Sequence, residues 1–305
     1  MKNGIQDHKY IIIAGANRSG STSLFRYLIS HPQVCGSYVK QTSYFLDRDY
    51  DLAETNFVRH CEDKNSSFLD FFTTISTETD YLLEASPDYM YSYGTPEKLR
   101  KYFAGKDLTL VFLLRDPVDR FVSWFQHGKQ LGRVPDTMTF SEYVKVNKVT
   151  KSGHMSFRAL ETGEYSRYIA KFRDTLPPST KIFVLSFEEL VAMPDEMMPR
   201  LCCLLGIDSE YYKQFEFGKF NQSRSMKSKK LDTSVRWVSN FLRAGLMRHA
   251  GIYQLMTPIL RRASEVYRSM NSTRLEKYDV VKEDELVWLK SYYKNYTDMY
   301  PVDFD

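Results

Sequence analysis

The apolar run Tyr10-Ile11-Ile12-Ile13-Ala14 passes directly into Gly15-Ala16-Asn17-Arg18-Ser19-Gly20-Ser21-Thr22, and then into the amphipathic stretch Ser23–Ser30. A strand, a glycine turn and a helix N-terminus in immediate succession aim backbone N–H groups outward, where the helix dipole favours negative charge. The spacing Gly15-x4-Gly20-x-Thr22 is that of a phosphate-binding loop. Ser21, however, stands where such a loop carries the lysine that reaches β- and γ-phosphates. Arg18 is the loop's only cation. The loop is therefore shaped for a phosphate and not for a nucleoside triphosphate.

Further strand signals are short, apolar and β-branched: Tyr81–Glu84, Leu108–Leu114 and Lys181–Ser186. Helical patterns lie between them, at Thr22–Ser30, Thr95–Phe103, Val118–Leu131, Glu164–Thr175 and Asp195–Leu205. Alternating strands and helices predict an α/β fold: a P-loop-like three-layer αβα sandwich around a central parallel sheet. The polar, aromatic stretch Glu54–Thr79 reads as an excursion from that sheet. Residues 216–235 read as a basic loop, followed by helical C-terminal decoration over Thr233–Ala250, Leu255–Ser269 and Lys282–Tyr296. With no repeat or linker, residues 1–305 are expected to form a single domain.

Net charge is +4, too small to require nucleic acid or a membrane surface as partner. No run reaches the roughly 18 apolar residues of a membrane span. The first strand begins near Tyr10, which leaves no room for a signal peptide, so a cytoplasmic protein is expected. The cysteines at 35, 61, 202 and 203 read as reduced, buried thiols, and no cluster has metal-ligand spacing.

Three more segments carry polar groups to strand ends. Arg115-Asp116-Pro117 follows Leu108–Leu114 and opens a helix, with Arg120 and Ser123 further along it. Arg115 then sits at the carboxyl edge where open α/β sheets bind ligands, and its guanidinium suits bidentate phosphate contact. A helix cap at Asp116 with an ion pair explains the same residues equally well. Ser37-Tyr38-Val39-Lys40-Gln41-Thr42-Ser43-Tyr44-Phe45 places a lysine after a short apolar strand. Alone, this segment is better read as an edge strand with a solvated lysine. Glu84-Ala85-Ser86-Pro87-Asp88-Tyr89 puts a polar cluster at another strand end, where turn chemistry is the plainer reading.

Together these segments resemble the sulfotransferases that use 3′-phosphoadenosine 5′-phosphosulfate (PAPS), nearest the heparan sulfate and carbohydrate branch and its bacterial relatives. The resemblance covers roughly residues 9–300. It implies that Arg18, Ser19, Gly20, Ser21, Thr22 and Ser23 bind the 5′-phosphosulfate, and that Arg115 and Ser123 hold the 3′-phosphate. Arg224 and Lys227, in the basic loop, would close over the nucleotide. Lys40, Gln41 and Tyr89 would meet the acceptor, a carbohydrate or a small molecule. The absent loop lysine fits such a donor, which has one 5′-phosphate bearing a sulfonate and no phosphate beyond it. On this resemblance PAPS would be the co-substrate, and the scheme would need no metal. Arg18 and the loop N–H groups would stabilise charge on the leaving oxygen.

The family's glutamate, the general base on the acceptor hydroxyl, is Gln41 here, which takes up no proton at a useful pH. Glu84, Asp88 or His127 would replace it, with Glu84 favoured because it lies at a strand end. Alternatively, the acceptor is an amine or an acidic hydroxyl, or the chain binds donor or sulfated glycan without turning it over. A P-loop nucleotide kinase is a further alternative, disfavoured by Ser21 and by Arg115 where a Walker-B carboxylate belongs.

Overall fold

The computed structural model describes residues 8–50, 67–150, 152–218, 224–226, 272–274 and 281–296, with scattered positions between 256 and 267. Five parallel strands form the sheet: β1 (Lys9–Gly15), β2 (Val34–Gly36), β3 (Tyr81–Ala85), β4 (Leu108–Leu114) and β5 (Lys181–Ser186). Their order is β2-β3-β1-β4-β5, so β1 is central, flanked by β3 and β4. The chain leaves β1 toward one side of the sheet and later returns to the other. The crevice at the carboxyl end of β1 is thus the topological switch point where such sheets bind ligands.

Ile11, Ile12 and Ile13 are completely buried, as β-branched residues of a strand covered on both faces should be. Ile11 and Ile13 pack with Val111, Leu113 and Leu185 against Leu24 and Leu28 of helix α1 (Ser21–Ser30) and against Met197, Met198 and Leu201. On the opposite face Phe112 meets Phe172, with ring centroids 5.1 Å apart. Each such side chain contributes on the order of 1.5–3 kcal/mol by leaving water. The register steps between Ile13 and Gly15 against β4, and the chain then turns into the loop ahead of α1.

The remaining helices are α2 (Thr95–Tyr102), α3 (Pro117–Gln130), α4 (Phe140–Val149), α5 (Tyr165–Thr175), α6 (Phe187–Ala192), α7 (Pro194–Leu205) and α8 (Glu283–Tyr293). The expected excursion is described only from Ser67. There a 3-10 turn, Phe68–Phe71, packs Phe68 against Phe45 and Tyr102 at ring distances of 5.1 and 5.5 Å. Of the expected C-terminal helices, 233–250 lies outside the described residues and 255–269 largely so. The last is present as α8, whose Tyr293 is buried and donates to the Leu160 carbonyl.

Where one domain was expected, the chain's contacts form two compact units. The first, residues 1–120, 160–221 and 287–305, holds the sheet. The second, 121–159 and 222–286, packs Phe121 and Phe125 on Phe140 and Tyr143, and pairs β6 (Arg224–Met226) antiparallel with β7 (Ser272–Arg274). Cys35 and Cys202 are buried free thiols as expected, but Cys203 is exposed. No described helix is long and apolar enough to cross a membrane.

Candidate active site

Four strand ends of the first unit meet at the crevice. After β1, Gly20 takes a left-handed φ of +83° and starts α1. A Cβ on Gly20 would lie 2.6 Å from the Phe187 ring, so glycine is required by backbone conformation and by space. At the start of α1 the Ser23 and Leu24 N–H groups donate to the Gly20 carbonyl, and the N–H groups ahead of them are those a helix start leaves without an intrahelical acceptor. Arg18 is held at φ 68°, also left-handed. Burial, with the nearby Arg115 and Arg120 charges, lowers its pKa to about 10, so it stays a cation at neutral pH.

Arg115 leaves the end of β4 and brings NH1 to within 3.4 Å of the Arg18 carbonyl. Its guanidinium lies 5.0 Å from the centre of the Phe187 ring, and NH2 is 3.7 Å from Asp119. Asp116 caps α3 by accepting from the Asp119 N–H at 2.8 Å. The cap and the ion pair of the plainer sequence reading are thus both present. They do not satisfy Arg115 Nε, which is buried with no acceptor among the described residues. An unsatisfied donor beside a helix N-terminus fits an anion of the kind a nucleotide phosphate presents.

Arg120, completely buried, props the loop from beneath. Its Nε donates to the Asn17 carbonyl at 2.9 Å, and NH2 reaches Tyr91 and Thr162. The buried loop carbonyl marks Arg120 as part of the scaffold, which its place near the start of α3 does not reveal.

Beyond β2, Lys40 Nζ donates to Ser21 Oγ at 3.2 Å. Burial lowers its pKa to about 8, opposed by the neighbouring Glu84 and Asp88 carboxyls. Gln41 Nε2 donates to Asp88 Oδ2 at 2.6 Å. Asp88 Oδ1 accepts from Asn17 Nδ2 at 2.8 Å and from Tyr50 OH at 3.0 Å. Burial raises the Asp88 pKa, against these donors and Lys40. Asn17 and Tyr50 carry no signal in the sequence, because only the fold brings them to Asp88.

Glu84 and Tyr89, expected to act on and to bind the acceptor, are both completely buried. Glu84 Oε1 accepts from the Thr42 N–H, Thr42 Oγ1 and Ser86 Oγ. Burial raises its pKa to about 7, against those donors and Lys40. Tyr89 OH accepts from the Phe45 N–H at 3.2 Å. Both side chains hold the 42–45 loop, and neither surface is open to an acceptor.

Ser123 and His127 belong to the second unit: Ser123 is buried on α3, and His127 lies edge-on to Trp124 with ring centroids 6.0 Å apart. Arg224 sits in β6 opposite Arg274, and Lys227 lies outside the described residues. Among the described residues no group of three or more His, Cys, Asp or Glu could hold a metal ion.

The chain is 26% identical over 212 residues to the Mus musculus bifunctional heparan sulfate N-deacetylase/N-sulfotransferase 3, a match covering 67% of this chain and 23% of that protein. It is 26% identical over 200 residues to the Homo sapiens bifunctional heparan sulfate N-deacetylase/N-sulfotransferase 2, covering 64% and 22%. The chain thus spans less than a quarter of these relatives' length. A sulfotransferase from Alicyclobacillus acidocaldarius shares the fold, with TM-score 0.55, 20% identity, and 81% of this chain and 96% of that one covered. The family model described as a sulfotransferase domain matches residues 8–279, nearly the whole chain, and the protein belongs to that family.

Proposed function

We propose that the chain transfers the sulfonate group of PAPS to an acceptor hydroxyl by in-line displacement. The observation that carries this reading is the pair Arg18 and Arg115, on neighbouring strand ends, flanking a helix N-terminus with no lysine at Ser21. One cation faces the 5′-phosphosulfate held by residues 18–23. The other, with its unsatisfied Nε, faces the 3′-phosphate. Charge that develops on the bridging oxygen as it leaves is stabilised by Arg18 and the α1 N–H groups, which are already oriented. Lys40 lies beside the same helix start.

Carbohydrate is the favoured acceptor class, because the curated relatives are named for heparan sulfate. The N-sulfotransferase in those names makes an amine acceptor the second reading. Calorimetric titration with adenosine 3′,5′-bisphosphate and ATP tests the nucleotide assignment: tight bisphosphate and weak ATP binding are expected, and the reverse order overturns it. Transfer of radiolabelled sulfonate to a panel of oligosaccharides, amino sugars and small alcohols then separates an enzyme from a binding protein. Label on no member of the panel, with bisphosphate still bound, identifies a binding protein.

A further inference from the structure

The substitution of a glutamine for the family's basic glutamate leaves the acceptor proton without a destination, and three carboxylate or imidazole groups compete for it. Glu84 Oε1 accepts from three donors while Oε2 has no partner among the described residues, but the whole side chain is sealed beneath the 42–45 loop with no exposed surface for an acceptor to reach. For His127, on α3, the contact described is with the Trp124 ring, 6.0 Å between centroids. Asp88 differs from both. It is only half-buried, and it is tied directly to the loop, because Asn17, the residue before Arg18, bonds its Oδ1. Its partner on Oδ2 is Gln41 itself.

We propose that Asp88 Oδ2 accepts the proton of the acceptor hydroxyl, and that Gln41 is a positioning residue that orients this carboxylate. The inference rests on the sulfonate-transfer reading above. A carboxylate offers about four acceptor positions. Asn17 and Tyr50 occupy Oδ1, Gln41 occupies one position on Oδ2, and among the described residues no donor takes the second position on Oδ2, which is left for the acceptor. In the step, the acceptor oxygen forms a bond to the PAPS sulfur while the bond from sulfur to the bridging oxygen breaks. That oxygen departs with the electron pair on adenosine 3′,5′-bisphosphate, and the hydroxyl proton passes to Asp88 Oδ2. Desolvation strengthens Asp88 as a base, while Lys40 keeps it ionised. The titratable groups facing it are Lys40 and Tyr50 from the segment after β2, and Tyr91 from its own turn.

The test uses the full chain with PAPS and the best sugar alcohol of the panel. Asp88→Asn should lower the single-turnover rate by roughly a hundredfold or more, the contribution of a general base. Its affinity for adenosine 3′,5′-bisphosphate should be unchanged, which also reports that the variant is folded. Gln41→Glu added to Asp88→Asn should recover part of the rate. Tyr50→Phe removes a donor from the ionised carboxylate, so it should move the acid limb of kcat/KM to higher pH. An Asp88→Asn variant that transfers at the wild-type rate overturns the proposal. So does a Tyr50→Phe limb that stays in place, which decides the matter if Asp88→Asn loses bisphosphate binding. A wild-type protein that labels no acceptor overturns the transfer reading and this assignment with it, and that result is read before any variant is made.

Discussion

Lys40 Nζ donates to Ser21 Oγ at 3.2 Å, so a cation from the segment after β2 reaches the start of α1, where the sequence itself places a serine. Its burial, which lowers its pKa to about 8, makes that cation sensitive to pH. Anion binding favours the protonated amine. The affinity for adenosine 3′,5′-bisphosphate should therefore be flat to about pH 7.5 and fall as pH rises through about 8, by at most about tenfold per unit. Lys40→Arg should remove the fall, because a guanidinium stays charged throughout. Titrations at pH 7 and pH 9 check both expectations.

Arg115 should discriminate nucleotides by the 3′-phosphate. Hydrogen bonds to charged groups contribute about 1.5–3 kcal/mol, so Arg115→Ala should weaken 3′,5′-bisphosphate binding by roughly 10- to 100-fold. Binding of 5′-AMP should change little. Equal losses for the two ligands in parallel titrations would remove Arg115 from the 3′-phosphate.

Glu84 should make stability fall with pH. Its folded pKa is raised to about 7, by burial first, while an unfolded glutamate titrates near ~4.3. Between those values the unfolded chain has released a proton that the folded chain retains, so stability drops as pH rises through this window and levels above it. Glu84→Gln imitates the protonated form and should abolish this part of the slope. Urea unfolding at pH 5 and pH 7.5 should show the wild type losing about 1–3 kcal/mol more than the variant.

Gly20 should tolerate no side chain. Gly105 provides the comparison, with φ +72° and nothing within 4 Å of where a Cβ would sit, against φ +83° and the Phe187 ring at 2.6 Å for Gly20. Alanine at either site bears the left-handed strain of about 1–2 kcal/mol. Only Gly20→Ala adds overpacking, typically about 1–3 kcal/mol more. Thermal midpoints of the two variants should separate accordingly, and Gly20→Ala alone should lose bisphosphate binding.

The strands legible in the sequence are those whose apolar run is long enough to stand out: β1, β3, β4 and β5 lie within a residue or two of their expected bounds. β2 has only three residues, too few for a periodic signal, and draws its stability from pairing with β3. Helix α4 escapes the sequence reading although Thr139-x-x-Glu142 is a capping box, with both reciprocal bonds present. Helix α6 merges with the turn after β5, since six residues barely exceed one helical period. Arg18 and Arg115 are legible because each follows an apolar strand. Their adjacency is not, since it depends on β1 pairing with β4.

The sequence alone determined the strand, loop and helix over residues 9–30. A β-branched strand, two glycines and an amphipathic helix in succession allow little else, and the interactions that form them are local. Which carboxylate keeps some solvent exposure was decided only by the tertiary structure. Glu84 and Asp88 are four residues apart at the end of one strand, yet one is sealed and the other half-open. Apart from Ser86, which is local to Glu84, the donors around them are Asn17, Gln41, Thr42 and Tyr50, between 38 and 71 residues away in the chain. Most of the hydrogen-bond supply at those carboxylates is set by such distant neighbours, which no local pattern in the sequence encodes.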